Sequence, residues 1–199
     1  MTASLVYRNP AIYGAVMRVL YGRHYAARFD AVAAEIPAGS EVLDVCCGPA
    51  TLYTRYLRAR DVRYLGLDVN ERFVADVVDA GGCGQVWDLH SETPLPAADV
   101  VVMQASLYHF LPDAGPVVDR MLAAARRTVI IAEPIRNLTT SNNRVLAALG
   151  KRYTDAGDGA QTRRFTESSL DALFDTYRDR VVAERPIAGG REKMFVLAG

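Results

Sequence analysis

Short apolar runs alternate with segments of helical spacing from residue 40 to the end of the chain. Seven of the runs are of strand type, at 41–46, 63–68, 85–87, 99–104, 128–133, 180–187 and 193–199. Segments with helical spacing lie between most of them, at 49–59, 71–80, 112–126 and after Thr166. Because strands separated by helices are joined by parallel crossovers, the pattern predicts an α/β fold with a doubly wound, mostly parallel, seven-stranded sheet. The last two runs have no helix between them and predict an antiparallel C-terminal hairpin.

Two regions lie outside this alternation, and we expect both near the carboxyl ends of the strands. Residues 1–38 predict an N-terminal helical cap, in which Asn9 precedes Pro10 at the first helical position. Residues 134–165 predict a cap insertion with a helix-like stretch and then the sequence DAGDG, whose glycines suit a hinge. A length of 199 residues suits one hydrophobic core, so we expect residues 1–199 to form a single domain.

Composition limits the partners and the compartment. Lysine plus arginine and aspartate plus glutamate number 23 each, so no net positive charge is present to hold a nucleic acid backbone. Cys46, Cys47 and Cys83 form neither an even disulfide set nor a C-x-x-C metal spacing. No apolar run is long enough to span a bilayer, and the N-terminus lacks a signal-peptide pattern. We therefore expect a cytoplasmic protein with no nucleic acid partner, no membrane partner and no metal.

The stretch VLDVCCGPA at 42–50 carries the strongest chemical signal. An apolar strand with an acid, Asp44, is followed by a tight turn of small residues around Gly48 and then by a helix that begins at a proline. Such a turn lets a ligand approach the backbone. Twenty residues beyond Gly48 the second strand ends in Asp68, whose carboxylate can accept hydrogen bonds from both hydroxyls of a ribose. The two features together predict a nucleoside site.

The motif residues that this stretch lacks exclude two classes of nucleotide-binding site. A dinucleotide site requires G-x-G-x-x-G, whereas the aligned positions here are Cys46, Gly48 and Thr51. No lysine followed by serine or threonine begins the helix, so a phosphate-binding loop of Walker type is also absent. The pattern therefore favours a nucleoside ligand without a pyrophosphate.

These residues resemble the class I S-adenosylmethionine-dependent methyltransferases. VLDVCCGPA is similar to their first motif, with Cys46 and Ala50 in place of the first and third glycines. LGLDVN resembles their ribose-binding segment, and VWDLHSETPLPAADVVVMQASLYHFLPD resembles the next two segments. The resemblance covers about residues 40 to 199 and implies the Rossmann-like methyltransferase fold with S-adenosylmethionine as the cofactor.

The resemblance also implies positions for the cofactor. It places Asp44 and Gly48 near the methionine moiety, Asp68 on the ribose and Asp88 at the adenine edge, although Asp88 could instead be an exposed loop acid. Tyr21 and Tyr25 could contact the cofactor from the N-terminal helices. The cofactor-binding residues expected are Asp44, Cys46, Gly48, Asp68, Val69, Asp88, Leu89, Gln104, Tyr21 and Tyr25.

The acceptor side is expected after the fourth strand. His109 in SLYHFLPD aligns with a histidine of the family that faces the transferring methyl group, and a histidine can take a proton from a nucleophile near neutral pH. A histidine that only packs against cofactor or substrate is an equal alternative. Tyr108, His109 and Glu133 are the expected substrate-binding residues.

The sequence therefore predicts methyl transfer to an oxygen, nitrogen or carbon of a small organic molecule. The chain lacks the N/D-P-P-Y/F motif of enzymes that methylate amino groups of nucleic acids. Two alternatives stay open: an enzyme that uses S-adenosylmethionine for cyclisation or another alkyl transfer, and a non-catalytic nucleoside-binding regulatory protein. A homodimer also stays open.

Overall fold

A seven-stranded sheet forms the centre of the computed structural model, which describes residue 18 and residues 21–135 and 164–199. The strands are β1 (Ser40–Val45), β2 (Val62–Asp68), β3 (Cys83–Val86), β4 (Ala98–Gln104), β5 (Ala125–Pro134), β6 (Val181–Ile187) and β7 (Glu192–Ala198). Their order across the sheet is β3-β2-β1-β4-β5-β7-β6. The predicted seven-stranded, doubly wound sheet is confirmed.

Strand direction follows the pattern of connections. The strands from β3 to β5 pair in parallel, and β7 pairs antiparallel with both β5 and β6. The predicted C-terminal hairpin is therefore present, with β7 inserted beside β5 and β6 at the edge. The order reverses between β1 and β4, and open α/β sheets bind ligands beyond the carboxyl ends of the strands at such a point.

Five labelled helices accompany the described strands: α1 (Tyr25–Ala34), α2 (Tyr53–Leu57), α3 (Glu71–Asp79), α4 (Gly115–Ala124) and α5 (Glu167–Asp175). Short 3₁₀ turns cover Gly22–His24 and Leu107–Phe110. In the predicted helix over 49–59, α2 is π-helical, because the Arg58 amide donates to the Tyr53 carbonyl five residues earlier at 2.8 Å. The predicted helix over 112–126 is shorter than expected, because Ala125 already begins β5.

Side-chain caps fix where two helices begin. The Asn70 side chain accepts a hydrogen bond from the Arg72 amide at the start of α3. Thr166 and Ser169 form a reciprocal capping box at the start of α5, which confirms the cap expected at Thr166. Of the two segments predicted as caps, residues 1–17, 19, 20 and 136–163 lie outside the described residues.

Alternation along the central strands builds a core on each face of the sheet. On β4, Val101 and Met103 pack into one layer and Val100 and Val102 into the other, and all four are at most 1% exposed. This two-sided burial explains why the strand is an unbroken apolar run. Within the described ranges, no helix has the length and apolarity that a membrane crossing requires.

Candidate functional site

A cleft of about 740 Å³ opens beyond the carboxyl ends of β1, β2 and β4. Most of the residues that the sequence singled out line it: Tyr25, Asp44, Cys46, Gly48, Asp68, Val69, Asp88, Leu89, Gln104, Tyr108 and His109. Two of them, Tyr21 and Glu133, do not line the cleft. The cleft lies at the place where the strand order reverses, as the topology requires.

The turn after β1 has an unusual backbone. Cys46, Gly48 and Ala50 all have positive φ angles, of 59°, 56° and 52°. Only glycine adopts such angles without cost, and an L-residue pays roughly 1–2 kcal/mol. Cys46 and Ala50 therefore adopt a left-handed backbone although neither is a glycine. The path brings bare backbone to the cleft at Gly48, where no side chain stands between a ligand and the main chain.

Asp68 holds this turn against the end of β2. One carboxylate oxygen accepts a hydrogen bond from the Gly48 amide and the other from the Asn70 amide, each at 2.9 Å. Burial raises the pKa of Asp68, and these backbone donors act against that rise. Each oxygen of a carboxylate can accept a further hydrogen bond, so Asp68 can hold the turn and face a ligand at the same time.

Asp44 is the most deeply buried of the acids that line the cleft. Its carboxylate accepts a hydrogen bond from the Tyr64 hydroxyl at 2.7 Å. Burial raises its pKa to about 7, the Tyr64 hydrogen bond opposes the rise, and the nearby Asp68 charge adds to it. Asp44 therefore changes charge near neutral pH, unlike an ordinary aspartate.

Apolar and aromatic side chains line the cleft beyond β3. Trp87 and Leu89 flank Asp88, which is exposed and accepts a hydrogen bond from the His90 amide at 2.8 Å. The Trp87 Nε1 atom is buried and has no hydrogen-bond partner among the described residues. A donor that lines a cleft without a partner is suited to a ligand acceptor. Sequence analysis missed Trp87, although this aromatic residue directly follows the third strand.

The segment after β4 forms the side of the cleft where the sequence predicts the acceptor. Gln104 ends β4, and its amide donates to the Arg28 carbonyl at 3.5 Å. The 3₁₀ turn then brings Tyr108 and His109 to the cleft, with their rings 4.1 Å apart between centroids. The Arg164 guanidinium lies over the Tyr108 ring at 3.6 Å, which is a cation–π contact.

Glu133 lies beneath the cleft, which corrects its placement among the substrate-binding residues. It is fully buried, and its Oε1 atom accepts hydrogen bonds from the Ser106 and Leu107 amides at 2.6 and 2.7 Å. Burial raises its pKa to about 8 against the effect of these donors. Glu133 therefore anchors the turn that carries Tyr108 and His109. The sequence correctly predicted that Glu133 lies at the end of the fifth strand, but it could not show which way the carboxylate points.

Tyr21 also requires a correction, because it is 1% exposed and donates its hydroxyl hydrogen to Glu192. Glu192 also pairs with Arg28 at 3.0 Å, and both side chains are buried. Arg28 and Tyr25 line the cleft from α1. Arg28 was missed, although an arginine three positions after Tyr25 on an otherwise apolar helix face is a signal that sequence analysis could have used.

The adjacent cysteines Cys46 and Cys47 point to opposite faces of the sheet. Cys46 packs against the layer that contains Leu43, and Cys47 against the layer that contains Val42. Burial raises the pKa of both thiols, so both are neutral and neither is an activated nucleophile. Among the described residues, no group of histidine, cysteine and acidic side chains could hold a metal ion.

Comparison with solved structures identifies the fold. A magnesium protoporphyrin IX methyltransferase from Synechocystis PCC 6803 with bound S-adenosylhomocysteine has a TM-score of 0.64 at 16% identity, over 92% of this chain and 85% of that one. A Thermotoga maritima S-adenosylmethionine-dependent methyltransferase, described as a possible histamine N-methyltransferase, gives 0.67 at 14% over 96% of both chains. A Haloferax volcanii protein in complex with the Trm112 methyltransferase activator gives 0.67 at 13%, over 100% of this chain and 99% of that one.

The fold is thus that of the class I S-adenosylmethionine-dependent methyltransferases, as the sequence predicted. The cofactor of this class is S-adenosylmethionine. The chain belongs to the family described as methionine biosynthesis protein MetW, whose family model matches residues 26–150. No curated protein sequence gives a significant match to the chain.

Proposed function

We propose that the protein transfers a methyl group from S-adenosylmethionine to a small organic acceptor. The observation that carries this proposal is the arrangement of Asp44, Gly48 and Asp68 at one cleft, where a bare turn of backbone lies between two buried carboxylates. The acids suit the ammonium group and the ribose hydroxyls of the cofactor. The turn lets its methionine part approach the main chain.

The residues present suit the cofactor in three further respects. A volume of about 740 Å³ falls within the usual range for sites of small molecules. Trp87 Nε1 is a buried donor that has no partner among the described residues, at the end of the cleft proposed for adenine. Leu89 supplies a buried apolar surface beside it. These groups would hold the adenosine, and Asp44 and Gly48 would hold the methionine part.

S-Adenosylmethionine, when bound, supplies a methyl group already activated by its sulfonium. The protein then has to orient the acceptor, exclude water and remove a proton where the acceptor carries one. His109 borders the acceptor side and is partly buried, so it can take that proton through a ring nitrogen. Glu133 fixes the turn below His109 and thereby fixes where its ring lies. If His109 only packs against the substrate, alignment alone supplies the rate.

A small molecule is the proposed acceptor because the chain carries no net charge and the cleft combines aromatic with polar side chains. The descriptions of two structurally similar proteins name an organic acceptor, which is magnesium protoporphyrin IX in one and, as a possibility, histamine in the other. These descriptions support a small organic acceptor for this protein. The identity of the two proteins to this chain is too low to transfer either molecule.

Cofactor binding has a built-in reporter. Trp87 is the chain's one tryptophan and lines the cleft, so its fluorescence should change when S-adenosylmethionine or S-adenosylhomocysteine binds. Saturable quenching in the native protein, and weaker binding in Asp68→Ala, are the expected results. A folded protein that shows no binding by fluorescence or calorimetry would contradict the proposal.

Methyl transfer needs a second experiment. The protein is incubated with S-adenosylmethionine and a metabolite panel, and products are analysed by mass spectrometry. A product heavier by one methylene, formed together with S-adenosylhomocysteine, is expected. Cofactor consumption without that product would favour cyclisation or another alkyl transfer. Tight binding with no consumption across the panel would favour a regulatory nucleoside-binding protein.

A further inference from the structure

Tyr64 makes a buried contact with one of the two buried acids that line the cleft. Its hydroxyl donates to Asp44 Oδ2 at 2.7 Å, and the two residues are 5% and 3% exposed. Tyr64 does not line the cleft, whereas Asp44 does. The hydroxyl therefore supports the carboxylate from behind.

The ring of Tyr64 is held in place by its neighbours. Asp44 of β1 pairs with Gly66 of β2. Tyr64, Gly66 and Asp68 lie two residues apart along β2 and therefore share one face of the strand. A Cβ atom at Gly66 would lie 3.2 Å from the Tyr64 ring and 3.0 Å from Cys47 Sγ, so the glycine leaves room for that ring. On the other side, the Tyr53 ring stacks on Tyr64 with centroids 4.4 Å apart and planes 19° apart.

We propose that Tyr64 is a positioning residue that holds the Asp44 carboxylate for the cationic amino group of the cofactor's methionine part, and that this pair makes cofactor affinity depend on pH. The inference rests on the proposed function, because it requires S-adenosylmethionine or its product in this cleft. It goes further by assigning a role to a side chain outside the cleft lining.

The charge environment sets the direction of the pH dependence. Burial raises the pKa of Asp44 to about 7, the Tyr64 donor lowers it, and the negative charge of Asp68 raises it. The other ionisable groups nearby are the thiols of Cys46 and Cys47, the Tyr53 hydroxyl of α2 and the Arg28 guanidinium of α1, which lines the same cleft. The ionised carboxylate attracts a cationic amino group, and the protonated one does not.

Affinity should therefore rise with pH and level off once Asp44 is ionised in the free protein. Below the midpoint, which lies near pH 7, the dissociation constant should fall by up to about tenfold per pH unit, as expected for one released proton. Tyr64→Phe removes a donor to the ionised form, so Asp44 holds its proton more tightly. The midpoint should then move to higher pH, by about one unit.

The experiment is a titration with S-adenosylhomocysteine between pH 5.5 and 9, followed by Trp87 fluorescence and by calorimetry in two buffers that differ in ionisation enthalpy. The proteins are the wild type, Tyr64→Phe, Asp44→Asn and the control Tyr53→Phe, which keeps the stacked ring. The wild type should release close to one proton at pH 6. Asp44→Asn should bind weakly and release no proton. This variant keeps the other ionisable side chains Asp68, His90 and His109 at the cleft, so loss of the release would assign the proton to Asp44. Tyr53→Phe should keep the wild-type midpoint.

Several outcomes would overturn the inference. If Tyr64→Phe lowers affinity equally at every pH without moving the midpoint, Tyr64 has only a structural role. If the wild type binds with the same affinity across the range, the pair does not control binding. If Tyr64→Phe does not fold, Gly66→Ala crowds the ring instead and must move the midpoint in the same direction. A wild type that binds no S-adenosylhomocysteine at any pH contradicts the proposed function itself, which separates the two failures.

Discussion

Asp68 holds the turn at Gly48 and is the proposed acceptor of the ribose hydroxyls, so its substitution tests the cofactor site most directly. Asp68→Ala removes the acceptor of the Gly48 and Asn70 amides and the proposed acceptor of two ribose hydroxyls. We expect cofactor binding to weaken by about 1–3 kcal/mol, because charge-assisted hydrogen bonds are lost in a partly desolvated site. Calorimetry measures this directly. Asp79→Ala, an exposed change at the end of α3, should leave the affinity unchanged.

Unchanged affinity in a folded Asp68→Ala protein would remove the ribose assignment. Circular dichroism and the thermal midpoint establish the folded state, since the variant also releases the turn at Gly48. Asp68→Asn gives a milder change that keeps one acceptor oxygen, and it should fall between the wild type and the alanine variant.

Substitution of His109 tests whether catalysis includes proton transfer by this side chain or only alignment of the acceptor. Once an acceptor is known, His109→Ala should lower turnover by roughly 10²-fold or more while cofactor affinity changes little, because the side chain borders the acceptor side. Rates across pH 5 to 8 with and without the histidine are the measurement. His24→Ala, which lies outside the cleft lining, is the control. A variant that keeps the wild-type rate over the whole range would make His109 a packing residue.

At the scale of elements, one buried acid joins β5 to the turn after β4. Glu133 ends the apolar run of β5 and receives two amide hydrogens from the start of the 3₁₀ turn, while its Oε2 atom is buried without a partner among the described residues. The nearby Glu192 raises its pKa further, and Arg28 lowers it. This contact determines where Tyr108 and His109 lie, although Glu133 itself touches no ligand space.

Glu133 should make stability depend on pH. Its pKa in the folded protein is about 8 against an ordinary 4.5, so between these values the folded state keeps a proton that the unfolded state has lost. The contribution of Glu133 is therefore fully present below about pH 4.5, and stability falls as pH rises towards 8. Glu133→Gln removes this titration, so its free energy of unfolding should fall less between pH 5 and 8 than that of the wild type.

Urea denaturation at a series of pH values measures this difference. Glu167→Gln, an exposed change in the first turn of α5, should follow the wild-type pH dependence. A Glu133→Gln protein whose stability falls as steeply as that of the wild type would show that Glu133 is already ionised in the folded state.

Arg60 ties the end of α1 to the body of the protein. Its guanidinium donates to the carbonyls of Ala33 and Ile36, each at 2.5 Å, and so satisfies acceptors that the helix end leaves open. Arg60→Ala should lower the free energy of unfolding by about 1.5–3 kcal/mol, the value of hydrogen bonds that involve a charged group. Chemical denaturation checks this against Arg58→Ala, whose side chain is exposed. Equal stability of the two variants would contradict the role of Arg60.

At the scale of the whole molecule, cofactor binding should stabilise the fold, because the cleft exists only when β1, β2 and β4 have assembled. S-Adenosylhomocysteine at 100 times its dissociation constant contributes ~2.7 kcal/mol. For a chain of this size, that corresponds to a rise in the thermal midpoint of about 5–11 °C. Thermal denaturation with increasing ligand is the measurement. Asp68→Ala at the same ligand concentration should show a clearly smaller rise, and an equal rise would place the ligand elsewhere.

Local pattern was enough to predict the sheet and one end of the cleft. Strand and helix periodicities are properties of neighbouring residues, so the alternation of elements and the closing hairpin could be predicted. Asp44 and Asp68 could be found because each stands at a fixed place relative to the end of its own strand. Parallel strands then bring these ends together whatever the rest of the chain does.

Only the tertiary structure decided how the remaining side chains are used. Tyr21 and Glu192 lie 171 positions apart, and no local pattern shows that one hydrogen-bonds the other. The sequence gives the strand end at which Glu133 stands, but only the packing around it decides that the carboxylate turns inward to two amides. The Tyr64–Asp44 contact depends on the register of β1 against β2. Such contacts depend on three-dimensional packing, whereas the positions of the motifs depend on order along the chain.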